Sequence, residues 1–196
     1  MYPTINLQKI RGSEIGRGAE KIVYRHADDP NLCIKLCAKN NARSIRREIK
    51  YFNFLEKKQI KASFVPKFYG AFQAENTIGF LQECFLDKSN GGEFDSVSQL
   101  YSYITSGSCD LDEVLEMLEA LKKEMVQKNI IVCDLHSYNF LRVEKNGHAR
   151  LIIIDGYGSP EILPLPQYLS FFGKFKIERQ WKKFYRRLEP VIKNQL

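Results

Sequence analysis

The order of elements in the sequence predicts an α+β fold: a five-stranded antiparallel sheet carrying one helix over residues 1–86, then an abbreviated, mainly helical part over residues 87–196. Three observations predict it. Short runs of β-branched and aromatic residues, punctuated by Gly, Pro and Asn signals, recur in the order strand, strand, strand, helix, strand, strand. Two longer stretches with apolar residues at helical spacing follow. Finally, two turns set three polar residues, Asp134, Asn139 and Asp155, among apolar neighbours.

Residues 10–24 read as strand, glycine turn, strand. Gly16 and Gly18 flank Arg17 between Ile15 and the apolar Ile22, Val23 and Tyr24. Two glycines let a backbone approach phosphate closely and reach positive φ, although a G-x-G alone more readily describes an ordinary hairpin. Asp28-Asp29-Pro30-Asn31 signals a turn, and residues 32–37 form the third strand. Alternation puts Ile34 and Leu36 on one face and Cys33, Lys35 and Cys37 on the other. Lys35 thus has small neighbours on its own face; the plainer reading is an exposed lysine on a half-buried strand.

Residues 44–55 carry Ile45, Ile49, Phe52 and Leu55 as one helical stripe, and Glu48 falls within that stripe. A glutamate on an apolar face needs a cationic partner, and Lys35 on the preceding strand is the natural one. Residues 65–72 and 77–85 complete the five strands. Gln82, Glu83 and Cys84 end the last of them, and the polar stretch 87–93, with Gly91 and Gly92, marks the boundary between the two parts.

Residues 98–105 read as a short helix with Ser96 or Ser98 as its cap. Residues 111–127 read as a long one, with Leu111, Val114, Leu115, Leu118, Leu121 and Met125 as its buried stripe. Asp110 and Asp112 at its start favour the helix N-terminus. Pro160, Pro164 and Pro166 mark an extended loop before a final helix over 174–192. Ile177, Trp181, Phe184, Leu188 and Val191 line one side of it, and Lys174, Lys176, Arg179, Lys182, Lys183, Arg186 and Arg187 crowd the rest. That basic surface is either solvated or the seat of an anionic partner.

Between these helices lie the two turns. Asp134 follows the apolar Ile130, Ile131 and Val132; Asn139 comes five positions later; Asp155 ends the run Leu151 to Ile154 and is followed by Gly156. A carboxylate at the end of a buried strand loses its water unless it is paired or binds a metal. Hard oxygen ligands from adjacent turns suit magnesium, which leaves its other positions to water and phosphate. The plain alternative is a pair of tight turns in which Asp and Asn cap backbone groups.

Composition bounds the rest. A hydrophobic fraction of 44% is that of a folded chain. No apolar run approaches the roughly 18 residues of a membrane span, and no signal-peptide core opens the sequence, so a cytoplasmic protein is expected. Five cysteines without a C-x-x-C pair read as reduced thiols, and the scattered His26, His136 and His148 argue against zinc. The net charge of +7 favours an anionic partner. Nucleic acid is not expected to be that partner, because the aromatic residues of the final helix fall on its apolar stripe rather than among the basic residues.

In this order the residues resemble the protein-kinase-like superfamily, and more narrowly the PhoP regulatory network protein YrbL family of small bacterial proteins. The similarity includes residues 46–51 (RREIKY), 65–70 (VPKFYG), 163–166 (LPLP) and 178–184 (ERQWKKF). The resemblance implies a two-lobed kinase-like fold with ATP and magnesium as cofactors. Gly16, Gly18 and Val23 would meet the glycine-loop pattern over the phosphates, with Lys21 standing in place of its third glycine. Cys33 would make room for the base, Lys35 would contact the phosphates while held by Glu48, and Glu83 and Cys84 would lie at the hinge beside adenine. Asp134 would orient the acceptor hydroxyl and take its proton, and Asn139 and Asp155 would hold the metal.

Asp134-Leu135-His136 is similar to the D-L-H of small-molecule kinases. Departures are plain too: Val132-Cys133 replaces H-R or H-G, Asp155-Gly156-Tyr157 replaces D-F-G, and no A-P-E segment follows. The resemblance therefore implies a phosphotransferase acting on a hydroxyl of an anionic or saccharide acceptor, or alternatively a pseudokinase serving as a nucleotide-binding or protein-interaction module.

Overall fold

The computed structural model describes residues 3–161 and 165–193. A single-turn helix, α1 (Leu7–Ile10), leads into β1 (Arg11–Arg17), β2 (Ile22–His26) and β3 (Leu32–Ala38); α2 (Arg43–Lys57) follows, then β4 (Phe68–Ala74) and β5 (Thr77–Glu83). The five strands form one sheet in the order β1-β2-β3-β5-β4, with every neighbouring pair antiparallel. This matches the element order read from the sequence.

Both faces of β3 are covered, which is why Cys33, Ile34, Lys35, Leu36 and Cys37 are all buried. On one face α2 lays down Ile45, Ile49, Phe52 and Leu55 against Ile78 and Phe80 of β5. On the other, Ile34, Leu36 and Phe72 are roofed by Ile5, Leu7 and Ile10, a role for the N-terminal residues that no periodicity announced.

The second half departs from the mainly helical expectation. β6 (Ser96–Gln99) pairs with β7 (Phe140–Lys145), which pairs with β8 (His148–Ile153), making a three-stranded antiparallel sheet. Residues 96–99 are therefore strand, and the short helix α3 (Leu100–Thr105) begins only at Leu100. The β7–β8 connection is Asn146-Gly147, both at positive φ. Such a turn is a strong hairpin signal, carried by the sequence itself.

The long helix α4 (Leu111–Lys128) is capped by Asp110, whose side chain accepts from the Glu113 N–H at 3.0 Å. Val114, Leu118, Leu121 and Met125 are buried as expected, but Leu115 is largely exposed. After α5 (Leu165–Tyr168), α6 (Ser170–Lys193) starts four residues earlier than its periodicity predicts. Its buried stripe is Ile177, Trp181, Phe184 and Leu188.

Phe171, Phe172 and Phe175 are exposed, so not every aromatic residue of α6 faces the core. Lys176, assigned to the basic surface, is instead buried against Ser159 and Glu161. The remaining basic residues, Lys174, Arg179, Lys182, Lys183, Arg186 and Arg187, do face outward. Of the expected proline loop, Pro164 and the neighbouring Leu163 lie outside the described residues.

One hydrophobic core joins the two halves. Tyr51, Phe52 and Leu55 of α2 share it with Met125, Val132, Phe140, Ile153, Tyr157, Trp181 and Phe184. Tyr157 packs its ring 5.0 Å from Phe52 and donates its hydroxyl to Ile153 O at 2.8 Å. The sheet and the segment around Asp155 are thereby fixed to each other by packing as well as by charge. Among the described residues no helix is long and apolar enough to cross a membrane.

Candidate functional site

Strand register assembles the first part of the site. Val23 pairs with Gly16 on one side and with Lys35 on the other, so three of the singled-out residues lie abreast across β1, β2 and β3. Neither Gly16 nor Gly18 takes a positive φ. A Cβ there would find its nearest neighbours at 3.9 Å and 3.8 Å, so the turn itself does not require glycine. The Gly18 N–H donates to Lys21 O at 2.8 Å, closing the β1–β2 turn.

The helix α2 delivers Glu48, which is fully buried, to the sheet. The expected partner is present: Lys35 Nζ stands 3.8 Å from Glu48 Oε2. It also donates to the Ile154 carbonyl. A second lysine is closer. Lys21 Nζ lies 3.1 Å from Glu48 Oε1 and contacts Asp155 Oδ1 as well, bridging the two carboxylates. In the sequence Lys21 only stands in place of a glycine; a lysine between a glycine turn and an apolar strand start gives no sign of its direction until the sheet is folded.

Asp155 comes from the end of β8, and the next peptide binds it into the cluster. The Gly156 N–H donates to Glu48 Oε1 at 2.8 Å and to Asp155 Oδ1 at 2.6 Å. Gly156 has φ +86°, and a Cβ on it would stand 3.1 Å from Asp134 O and 3.2 Å from Asp134 Cβ. Only glycine lets the Asp134 and Asp155 turns come this close. Cys133 N donates to Gly156 O at 2.8 Å, and Ile154 N to Asn139 O at 2.8 Å, stitching the two turns together.

Asp134 is 61% exposed at its side chain, open to any incoming group. The Asn139 amide donates to Asp134 O at 3.1 Å and reaches Asp134 Oδ2 at 3.5 Å. Arg187 of α6 comes within 4.0 Å of Asp134 Oδ1, a neighbour that could not be foreseen because the two lie far apart in sequence.

Charge and hydrogen bonding, not burial, set the two carboxylates apart. Burial, with the nearby Asp155 adding to it, pushes Glu48 up to about 7 against the pull of Lys35 and Lys21. Burial also acts to raise Asp155, but the charge of Lys35, then the hydrogen bonding with Glu48 and the charge of Lys21, hold it below the usual carboxylate range. For Lys21, burial works to lower the ammonium, and the facing Glu48 and Asp155 outweigh it and raise it.

At the far end of β5, Cys33 and Cys84 are buried, and the Cys33 thiol reaches Glu83 O at 3.7 Å. Glu83 Oε2 accepts from the Lys67 N–H at 3.1 Å, and the Glu83 and Cys84 N–H groups are spent on Lys67 O and Asn31 O. Those two amides are thus not open donors. In all, the structure gathers Lys35, Glu48, Asp134, Asn139 and Asp155 around one seam, with Gly16 and Val23 on the strands beside Lys35, while Cys33, Glu83 and Cys84 lie farther along the sheet.

Sequence comparison places this arrangement in a family. A profile described as PhoP regulatory network protein YrbL matches residues 5–189. The chain belongs to that family. Among its YrbL relatives are the Escherichia coli K12 and Shigella flexneri proteins, each named "Uncharacterized protein YrbL". Each is 24% identical over 181 residues, spanning 88% of this chain and 83% of the relative. The site described above lies wholly inside the matched span of the YrbL family.

Proposed function

We propose that the protein is a kinase-like phosphotransferase that moves the γ-phosphoryl group of ATP, with magnesium, to a hydroxyl of an anionic or saccharide acceptor. The observation that carries this reading is the meeting of Lys35 and Glu48 from the sheet half with Asp155, Asn139 and the exposed Asp134 from the other half, at one seam. The two-lobed kinase-like description of the fold rests on the same meeting, together with the five-stranded sheet and its single inward helix.

The donor chemistry fits the cofactors. Asp155 and Asn139 offer hard oxygen atoms from two turns that Ile154 N, donating to Asn139 O at 2.8 Å, holds together. A magnesium ion there would draw its other ligands from water and phosphate. When bound, the ion supplies charge that neutralises the phosphates.

The chain's own residues do the rest. Lys35, positioned by Glu48, would neutralise phosphate charge. Asp134 accepts the proton of the acceptor hydroxyl as its oxygen bonds to the γ-phosphorus and the β–γ bridging bond breaks. The exposed Arg187 beside Asp134 gives an anionic acceptor a cation to approach. For Asp155 to face a metal, Lys21 must release it, and its long side chain then becomes a further cation for phosphate.

The Lys21–Asp155 contact favours a second reading, a pseudokinase that keeps the fold as a binding module, because an ammonium already satisfies the carboxylate. Calorimetric titration of ATP with and without magnesium, on the wild type and on Asp155→Ala, tests the proposal. Magnesium-dependent binding lost in the variant supports the cofactor site; absence of ATP binding overturns it. Turnover by the wild type that disappears in Asp134→Ala, with ATP affinity retained, separates the enzyme from the pseudokinase.

A further inference from the structure

On the side of α2 turned away from the sheet, Arg43, Arg46, Arg47 and Lys50 form a single stripe at spacings of three, four and seven residues. Like charges at three and four residues repel along a helix, so such a stripe is unfavourable without a counter-charge. Among the described residues none of the four has a carboxylate within 4.0 Å.

The stripe is not a flat surface. It lines a cavity of ≈ 550 Å³ together with the segment Gly158 to Glu161 and the rings of Phe54 and Tyr168. Those two rings meet edge to face at 5.2 Å. The volume is that of a small-molecule site rather than of a groove for a macromolecule.

The walls are held in place. Gly158, at φ +85°, presses on α2 so closely that a Cβ would stand 3.1 Å from Tyr51 Cβ and 3.2 Å from Arg47 Cγ. Arg47 Nε donates to Tyr157 O at 3.2 Å, which ties its guanidinium to the backbone just before Gly158. Glu161, the carboxylate on the wall, is taken up by Lys176, and Lys176 also donates to Ser159 Oγ at 2.8 Å. Its charge is thus answered by Lys176, and among the described residues the four cations lining the cavity have no carboxylate of their own.

We infer that this cavity binds a compact anion carrying two or more phosphate groups, such as a sugar bisphosphate or a polyphosphate, through Arg43, Arg46, Arg47 and Lys50. Planar guanidinium groups take phosphate oxygens in pairs, and several of them converging on one cavity select a multiply charged ligand over a single anion. The site lies on the opposite face of α2 from Glu48 and stands independently of the nucleotide reading.

Inorganic pyrophosphate, titrated at low ionic strength with EDTA present, is the probe. Three proteins are compared by calorimetry: the wild type, Arg43→Gln/Arg46→Gln, and Lys35→Ala, each checked for its fold by circular dichroism. The exposed arginines leave the core untouched, and the Lys35 variant reports any pyrophosphate held at the other site. Saturable binding is expected in the wild type and in Lys35→Ala, weakened about tenfold or more in the arginine pair. Binding that the arginine substitutions leave unchanged, equal weakening in both variants, or no saturable binding by the wild type overturns the inference.

Discussion

Lys21 Nζ stands 3.1 Å from Glu48 Oε1, nearer than Lys35, which stands 3.8 Å from Oε2 of the same carboxylate. Two ammonium groups and two carboxylates thus share one buried seam, and Lys21 is the member that touches both Glu48 and Asp155. Removing one partner of such a cluster strands charge away from water. Lys21→Met is expected to lower stability by about 2 kcal/mol, less than a fully orphaned pair would lose, because Lys35 remains. Urea denaturation at neutral pH measures it; a midpoint unchanged from wild type would mean that Lys21 contributes nothing in solution.

Glu48 gives stability an unusual pH slope. Its folded-state value of about 7 lies above its ordinary 4.5, so the native state binds more protons than the unfolded chain between those limits. Stability from this group therefore falls as pH rises from about 4.5 to 7, by an amount on the order of 3 kcal/mol. Asp155 acts oppositely: its lowered value adds stability as pH climbs through the acid range toward its ordinary 3.8. Denaturation midpoints at pH 4.5, 5.5 and 7.5 should decline, and Glu48→Gln should flatten the decline. A midpoint that rises across this window in the wild type would contradict the assignment.

Gly156→Ala should be costly where Gly107→Ala is cheap. Both glycines have positive φ, but a Cβ at Gly156 meets Asp134 backbone at 3.1 Å, whereas at Gly107 nothing lies within 4 Å. Backbone strain alone costs about 1 kcal/mol. The close contact should bring the Gly156 variant to about 2–3 kcal/mol. Thermal or urea denaturation of the two variants side by side gives the comparison.

Trp181 and Phe175 lie six residues apart on α6 with opposite surroundings: the first is fully buried, the second 63% exposed. Trp181→Ala should cost about 3–5 kcal/mol through the cavity it leaves beside Phe140 and Phe184. Phe175→Ala should stay within about 0.5 kcal/mol. A large loss in the Phe175 variant would show that this ring is covered in solution.

Much of the sheet half could be read directly. The burial of Ile45, Ile49, Phe52 and Leu55, and of Glu48 among them, follows from helical periodicity because one helix face has one sheet to lie on. The Lys35–Glu48 pairing follows from the same logic, since a buried carboxylate demands a cation. The second sheet was as legible through its Asn146-Gly147 turn, yet its first strand, Ser96–Gln99, is short and polar and becomes strand only by pairing with β7.

The sequence by itself determined the five antiparallel strands, the inward Glu48 and the three polar residues that end or follow apolar runs, because each is written in a local period or a local turn. Tertiary structure alone decided which charges meet. Lys21 reaches Asp155 across 134 positions, Arg187 comes beside Asp134, and Lys176 turns inward to Ser159 and Glu161. A flexible side chain has no periodicity of its own; it goes where desolvated charge must be answered, and only the folded chain fixes where that is.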